Sequence, residues 1–152
     1  MQRKLKFLVI LSLFYCLPLF ADSNVYISVK VNQEIITNFD IEKEIKYLII
    51  LNPSLKEIKK EKVEIIAKNS LINEKIKKSE IKKYFDLNKE NSFVNEYFKN
   101  FYTELKFNNE TEFKNSLTKE DFTVNEIKEK LKIEVMWNEL IYMKYNNQVQ
   151  ID

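Results

Sequence analysis

Apolar and polar residues alternate along the segment 25–37 in a way that predicts a β-hairpin. The inward positions of the first strand are Val25, Ile27, Val29 and Val31, with polar or amphipathic residues between them. A period of two is typical of a strand that buries one face. Asn32-Gln33 interrupts this pattern, and residues 34–37 return as a short second strand. Because Asn tolerates the positive φ of a tight turn, we expect the two strands to pair.

Helical periodicity begins directly after this hairpin. The apolar positions of the first helix are Ile41, Ile45, Leu48 and Ile49. Asn38 or Asp40 is the expected N-cap. Pro53 ends the helix, because it lacks an amide donor and disfavours helical geometry at the residue before it.

Three further helices are predicted before the last one. Ser54 is the expected cap of a long helix that reaches about Lys83, with a break near Asn69-Ser70. Residues 84–91 are rich in turn-forming Asp and Asn and predict a connection. From Phe93 onward, aromatic residues cover a helix face wider than 100°. A short helix containing Phe113 and Leu117 follows, capped by Asn109.

The last helix has the strongest start signal in the chain. Thr123 and Glu126 have the spacing of a capping box, which predicts a helix from Val124 to Tyr145. Its apolar residues cover more than half of the circumference, so we expect it to be central. The tail after Asn146 either frays or adds a short strand. The predicted fold is therefore mainly α, with an N-terminal β-hairpin followed by about five helices and a long central C-terminal helix.

Residues 1–21 have the pattern of a secretory signal peptide. Arg3, Lys4 and Lys6 precede the 14-residue apolar run from Phe7 to Phe20, and Ala21 offers a small-residue cleavage point. The run is shorter than the roughly 20 residues that span a membrane, so cleavage is preferred over retention as an anchor. We expect an exported protein with one domain over residues 22–152.

Composition narrows the chemistry that this domain can perform. Residues 22–152 hold 22 basic and 23 acidic residues, and their net charge of −1 gives no electrostatic basis for binding nucleic acid. The lysine-rich runs alternate with glutamate and are typical of solvated helix faces.

The chain has no histidine and no glycine, and its single cysteine, Cys16, lies in the predicted signal peptide. This excludes imidazole chemistry, thiolate metal sites and glycine-rich phosphate loops after cleavage, so we predict no enzyme activity, no cofactor and no metal. An acid–base pair of Asp40 with Glu42 or Glu44 is the remaining catalytic arrangement, on what is predicted to be a solvated helix face.

Three segments resemble the N-terminal domain of the SurA-type periplasmic chaperones. They are VNQEIITNFDIEKEI (31–45), AKNSLINEKI (67–76) and TVNEIKEKLKIEVMWNELI (123–141). In that family a hairpin reading V-N-x-x-x-I-T-x-x-D-I precedes the helices, one helix carries an L-I-x-E run, and a long helix follows a short one. The resemblance extends from about Val25 to about Asn146. It implies a periplasmic location and a role in folding outer-membrane proteins.

The chain departs from this family in what it lacks. Family members usually continue into parvulin-type isomerase domains and a C-terminal segment that returns to the N-terminal domain, whereas this sequence stops at Asp152. The resemblance therefore implies a chaperone module without prolyl isomerase activity. A separate protein that supplies isomerase domains is an expected partner, and a homodimer is another.

Two functional hypotheses follow. The first is a chaperone-like module that binds unfolded or outer-membrane polypeptides through an apolar and aromatic helix surface, without stable membrane insertion after signal cleavage. The candidate client-binding residues are Phe93, Tyr97, Phe98, Phe101 and Trp137, because aromatic rings offer large contact areas; each is also a candidate for the core. The alternative is a structural or assembly subunit that dimerises or docks on a partner through its uncovered apolar face.

Overall fold

The computed structural model describes residues 24–146. The predicted fold class is confirmed, because a two-stranded hairpin is followed by five α-helices, of which the last is long. The elements are β1 (Ile27–Val31), β2 (Glu34–Thr37), α1 (Asn38–Leu51), a 3₁₀ turn (Pro53–Glu57), α2 (Lys60–Ile81), α3 (Ser92–Glu104), α4 (Glu110–Lys119) and α5 (Val124–Tyr145). The predicted signal peptide and the tail after Asn146 lie outside the described residues. No helix within residues 24–146 is long and apolar enough to cross a membrane.

The hairpin forms at the predicted turn. β1 and β2 pair in antiparallel register with Val31 opposite Glu34, and Asn32 takes a φ of 55°. Asparagine adopts this left-handed conformation more readily than other non-glycine residues, because its short polar side chain bonds locally. A register shift between Ile27 and Val29 bends the far end of β1.

The start of α1 differs from the prediction. Thr37, rather than Asn38 or Asp40, is the N-cap, and Asp40 is the third helical residue of a capping box. The Thr37 hydroxyl accepts a hydrogen bond from the Asp40 amide at 3.2 Å, and the Asp40 carboxylate accepts one from the Thr37 amide at 2.7 Å. Thr37 is the last residue of β2 and keeps its extended backbone, which is the geometry that an N-cap requires.

The second helix also differs from the prediction at its start and in its middle. Asn52 accepts a hydrogen bond from the Ser54 amide at 3.2 Å and caps a separate 3₁₀ turn, so α2 begins only at Lys60. The predicted break near Asn69-Ser70 is wrong, because α2 is continuous to Ile81. The Ser70 hydroxyl donates to Glu44 at 2.7 Å and therefore does not compete for the backbone of its own helix.

Helices α3 and α4 end in the same way although the chain has no glycine. Lys106 and Asp121 follow the two helices with φ values of 70° and 62°. The next amides, those of Phe107 and Phe122, donate to carbonyls five residues earlier, each at 3.0 Å. This is the Schellman arrangement, in which the left-handed position is usually glycine.

The buried apolar residues form three clusters rather than one. The first joins α3, α4 and the first half of α5 around Phe98, Phe113 and Leu131. The second joins the hairpin, α1 and α2 around Ile36 and Leu71. The third joins the end of α2 to the second half of α5, where Ile81, Ile133, Met136 and Leu140 pack together. Since α5 contributes to two of the three clusters, its predicted central position is confirmed.

Two phenylalanines of α3 provide a matched test of this packing. Phe98 is 2% exposed, and its ring centre lies 5.8 Å from that of Phe113, whereas Phe93 is 66% exposed. We expect Phe98→Ala to lower the free energy of unfolding by about 3 to 5 kcal/mol, because it removes a ring and leaves a cavity. Phe93→Ala should change it by less than about 0.5 kcal/mol. Urea denaturation followed by circular dichroism measures both, and equal losses would contradict the assignment of Phe98 to the core.

Candidate functional site

An open groove of about 1100 Å³ is bounded by α1, α2, α5 and the connection 82–91. We call it the groove. Apolar and charged side chains line it together. The apolar ones, which we call the floor, belong to the three clusters or to their partly buried neighbours; they are Ile36, Leu71, Phe85, Leu87, Phe122 and Ile133. The groove is thus the place where the three clusters approach one another without closing.

One edge of the groove is basic. Lys75, Lys78, Lys82 and Lys83 line it, and we call these four residues the lysine rim. Lys75, Lys78 and Lys82 are spaced by three and four residues, which places them on one face of a helix. Glu34 of the hairpin lies between two of them, at 2.7 Å from Lys75 and 3.8 Å from Lys82. The hydrogen bond from Lys75 lowers the pKa of Glu34, and the charges of Lys78 and Lys82 lower it further.

Three carboxylates from other helices also line the groove, together with Lys43. They are Asp40 of α1 and Glu126 and Glu129 of α5, and we call them the carboxylate rim. Glu126 is bound by Lys43 of α1 and also accepts a hydrogen bond from the Thr123 amide at 2.8 Å. These two contacts lower the pKa of Glu126 to about 2. The carboxylate therefore stays charged at any physiological pH, and it holds the start of α5 to α1.

A partly buried ion triad also lines the groove. Lys130 of α5 donates to Glu44 of α1 at 2.7 Å and to Glu74 of α2 at 2.5 Å. Glu44 is only 2% exposed, and its second carboxylate oxygen accepts the hydrogen bond from Ser70. Every polar atom of this carboxylate is therefore paired, as a buried charge requires.

The triad fixes the charge states at the centre of the groove. Burial lowers the pKa of Lys130, but Glu44 and Glu74 raise it by more, so the ammonium group stays protonated. The Lys130 nitrogen also lies 4.7 Å from the centre of the Tyr47 ring. Burial, followed by the charge of Glu44, raises the pKa of Tyr47, so the phenol stays neutral. Neither group is placed to exchange protons near neutral pH.

The far end of the groove is closed by the connection between α2 and α3. Lys132 is 9% exposed, and its ammonium group donates to the Leu87 carbonyl, which fastens this connection to α5. Within the connection, Asp86 accepts a hydrogen bond from the Asn88 amide at 2.9 Å. Loop backbone is thereby held in place without regular secondary structure.

The predicted client-binding residues do not come together in the structure. Phe93 and Tyr97 are exposed on α3, Phe98 is buried in the first cluster, and Phe101 and Trp137 are half-buried. Phe101 packs against Phe113, with 6.0 Å between the ring centres, and Trp137 packs on the third cluster. None of the five residues lines the groove. Of these five residues, only Phe93 and Tyr97 therefore offer an exposed aromatic surface.

The sequence did carry one signal for the groove, in the spacing of its lysines. We interpreted Lys75 to Lys83 as a solvated face, yet Lys75 and Lys77 bind Glu34 and Glu134 across elements. Glu44 was predicted on a solvated face, and that prediction is wrong. An i, i+3, i+7 series of lysines could have indicated one basic edge, but the carboxylate rim comes from α1 and α5, which lie far from these lysines in the chain, on either side of them.

Residues of the family-like segments have structural roles. Asp40 closes the capping box of α1, Leu71 belongs to the second cluster, and Glu74 belongs to the triad.

Among residues 24–146, no three His, Cys, Asp or Glu side chains are grouped so that they could hold a metal ion. No family model matches the chain, and neither the curated proteins nor the solved structures give a match. The relation to SurA-type chaperones therefore stays a prediction.

Replacing the cation of the triad should lower the free energy of unfolding more than replacing an exposed lysine. We expect Lys130→Met to lower the free energy of unfolding by about 3 kcal/mol, because it leaves the Glu44 carboxylate buried without a counter-ion. Adding Glu44→Gln to Lys130→Met should restore part of this loss. Lys62→Met, at an exposed position of α2, is the control and should be nearly neutral. Urea denaturation at pH 7 checks all three variants; equal stability of the Lys130 and Lys62 variants would contradict the role of the triad.

Proposed function

We propose that the protein is an exported chaperone-like module that holds segments of unfolded or outer-membrane polypeptides without prolyl isomerase activity. The observation that supports this proposal is the open groove, which apolar and charged side chains line together. An apolar floor of this kind binds apolar side chains of a client by removing them from water, at roughly 25 cal/mol per Å² before the entropy costs of binding.

The shape of the groove favours a chain segment over a compact small molecule. Small-ligand sites are concave pockets of about 300 to 1000 Å³ that bury most of the ligand. The groove lies at the upper end of that range and is open to solvent rather than enclosed. Its charged rims keep the surface wetted when no client is bound, which limits self-association through the floor.

Two further points support a polypeptide as the ligand. The role requires no catalytic group, in keeping with the absence of histidine, glycine and a cysteine outside residues 1–21. The resemblance of three segments to the N-terminal domain of SurA-type chaperones also implies polypeptide binding. Phe93 and Tyr97 on α3 give a second apolar surface that a long client can contact.

A steric block of the groove tests the proposal. The purified protein should suppress the aggregation of a urea-unfolded outer-membrane protein on dilution, measured by light scattering at several-fold molar excess. Asn125 lines the groove at the start of α5, and Asn125→Trp should reduce the suppression because the indole occupies the space. Asn138→Trp adds the same side chain to an exposed position of α5 outside the groove and should leave suppression unchanged.

Two results would contradict the proposal. The first is the absence of suppression by the unchanged protein. The second is full suppression by Asn125→Trp together with its loss in a Phe93→Ala/Tyr97→Ala variant. That second outcome would transfer client binding from the groove to the aromatic surface of α3.

An assembly subunit is the second candidate function, and the end of α5 favours it. Ile141, Tyr142, Met143 and Tyr145 are all exposed in the last two turns of this helix. Tyr84 adds to this surface, since the Lys144 nitrogen lies 4.4 Å from the centre of its ring. Exposed apolar residues concentrated at one place are typical of a protein interface.

Sedimentation separates the two candidates. An assembly subunit should sediment as a tight dimer without holding a client, and Tyr142→Glu/Met143→Glu should dissociate it, because charges in an apolar contact are left without partners. The chaperone proposal instead predicts a monomer or weak dimer whose client binding survives this substitution. Lys119→Glu, at an exposed position of α4, controls for the added negative charge.

A further inference from the structure

We propose that the outer edge of β1 binds an extended polypeptide segment as an additional β-strand. This surface is separate from the groove, since no residue of β1 lines the groove. The inference rests on the proposed function for one point only, namely that the segment belongs to an unfolded client. It is carried by main-chain groups of β1 that have no backbone partner among residues 24–146.

The register of the hairpin determines which main-chain groups of β1 face outward. In the described part of the chain β1 pairs with β2 alone, so its other edge has no neighbouring strand. Val31 and Glu34 flank the two-residue turn and form a hydrogen-bonded pair, as the ends of such a hairpin do. Hydrogen-bonded and non-hydrogen-bonded pairs alternate in an antiparallel ladder, so the next pair, Lys30 with Ile35, is not hydrogen-bonded. The N–H and C=O groups of Lys30 therefore point away from β2.

The segment before β1 is held extended by Asn38, the first residue of α1. The Tyr26 amide donates to the Asn38 side-chain oxygen at 2.9 Å, and the Asn38 amide donates to the Tyr26 carbonyl at 3.2 Å. The Asn38 side-chain nitrogen donates to the Asn24 carbonyl at 3.2 Å. Since main-chain groups alternate in direction along a strand, those of Val25 and Ile27 face the opposite side. The free edge is therefore pre-formed from Val25 onward, which lowers the entropy cost of binding.

The side chains along this edge are exposed although they are apolar or aromatic. Val25, Tyr26 and Ile27 are 66%, 62% and 62% exposed. A run of three exposed apolar residues is unusual in a folded domain unless it has a function. An exposed edge strand is a template for pairing with another extended chain. In such strand addition the main-chain hydrogen bonds supply affinity, and contacts of alternate side chains supply selectivity.

Lys30 favours a foreign strand over a second copy of this chain. It is the only charged residue of β1, it is exposed, and it forms no ion pair with any residue from 24 to 146. A lysine on an exposed edge opposes pairing between copies of one chain, because like charges on facing strands repel. A client strand with a carboxylate at the facing position instead forms a favourable cross-strand pair. The segment that fits is therefore extended and apolar, with an acidic residue opposite Lys30.

Hydrogen exchange at the Lys30 amide, measured by NMR, tests this inference at the proposed site. The probe is a peptide of about eight residues in which valine and threonine alternate around one central glutamate. The Lys30 amide should exchange rapidly in the free protein, because it points away from β2, and about tenfold more slowly at saturation with the peptide. The Ile35 amide points away from β1 at the other edge of the hairpin, and its exchange should not change.

A proline on each edge of the hairpin gives matched variants. Lys30→Pro removes a main-chain donor from the outer edge of β1 and preserves the β1–β2 hydrogen bonds, because the Lys30 amide does not donate to β2. Ile35→Pro does the same at the outer edge of β2. Fluorescence anisotropy of the fluorescein-labelled peptide should show about tenfold weaker binding to Lys30→Pro and unchanged binding to Ile35→Pro. Circular dichroism verifies that both variants are folded.

A charge reversal tests the same residue without changing the backbone. Lysine in place of the central glutamate of the peptide should weaken binding to the unchanged protein about threefold, which is the size of an exposed charge pair. Lys30→Glu should reverse this preference, whereas Lys62→Glu, at an exposed position of α2, should not. The preference should disappear near roughly 0.5 M salt, since exposed charges are screened.

Three results would overturn the inference. They are the absence of peptide binding, unchanged exchange at Lys30 when the peptide is bound, and equal affinities of the two proline variants. Protection of Lys30 that rises with protein concentration in the absence of peptide would also overturn it, because that result assigns the edge to a second copy.

The unfolded outer-membrane protein is added to the same preparations, which separates the failure of this inference from that of the proposed function. If the unchanged protein and Lys30→Pro suppress aggregation equally and the peptide does not protect Lys30, the edge assignment is wrong and the proposed function stands. If the peptide protects Lys30 but aggregation is not suppressed, the edge of β1 binds polypeptide and the chaperone role is wrong.

Discussion

The structure depends on one half-buried cation that two carboxylates bind. Lys130 binds a carboxylate from α1 and another from α2, and it is the point at which the three helices that bound the groove meet. The three apolar clusters are small and each joins only part of the chain. A buried ion pair is weak evidence for net stability, because desolvation opposes the attraction between the charges. Its contribution here is geometric, since it specifies how the clusters are placed relative to one another.

This geometry explains why a groove exists at all. Closing the space between α1, α2 and α5 with apolar contacts would bury Glu44 and Glu74 further, and the cost of desolvating their charges opposes this. The ion triad and the charged side chains around it therefore leave the groove open. The three side chains of the triad therefore link α1, α2 and α5 and also prevent these helices from packing closely against one another. A surface for binding polypeptide is the consequence that we draw from this arrangement.

The structural features that could be predicted from the sequence are those that depend on residues close together in the chain. The hairpin alternation, the Asn109 cap and the Thr123–Glu126 capping box were all readable, because each lies within a few residues. Thr37 was missed as a cap because it also ends a strand. The triad and the rims were not predictable from local pattern, since their members lie up to 86 positions apart. The aromatic residues of α3 marked an amphipathic helix, but no periodicity tells which of them faces the core.

In the turn after α4, a residue with an unfavourable backbone conformation directly precedes a residue that lines the groove. Asp121 holds a left-handed conformation that costs a non-glycine residue roughly 1 kcal/mol, and its carboxylate lies 3.0 Å from Lys46. The next residue, Phe122, forms part of the groove floor. Glycine would adopt this turn without cost but would leave the unfolded chain more freedom and the turn less constrained. A glycine-free chain thus places one residue of the groove lining through a turn that leaves the unfolded chain less freedom than glycine would.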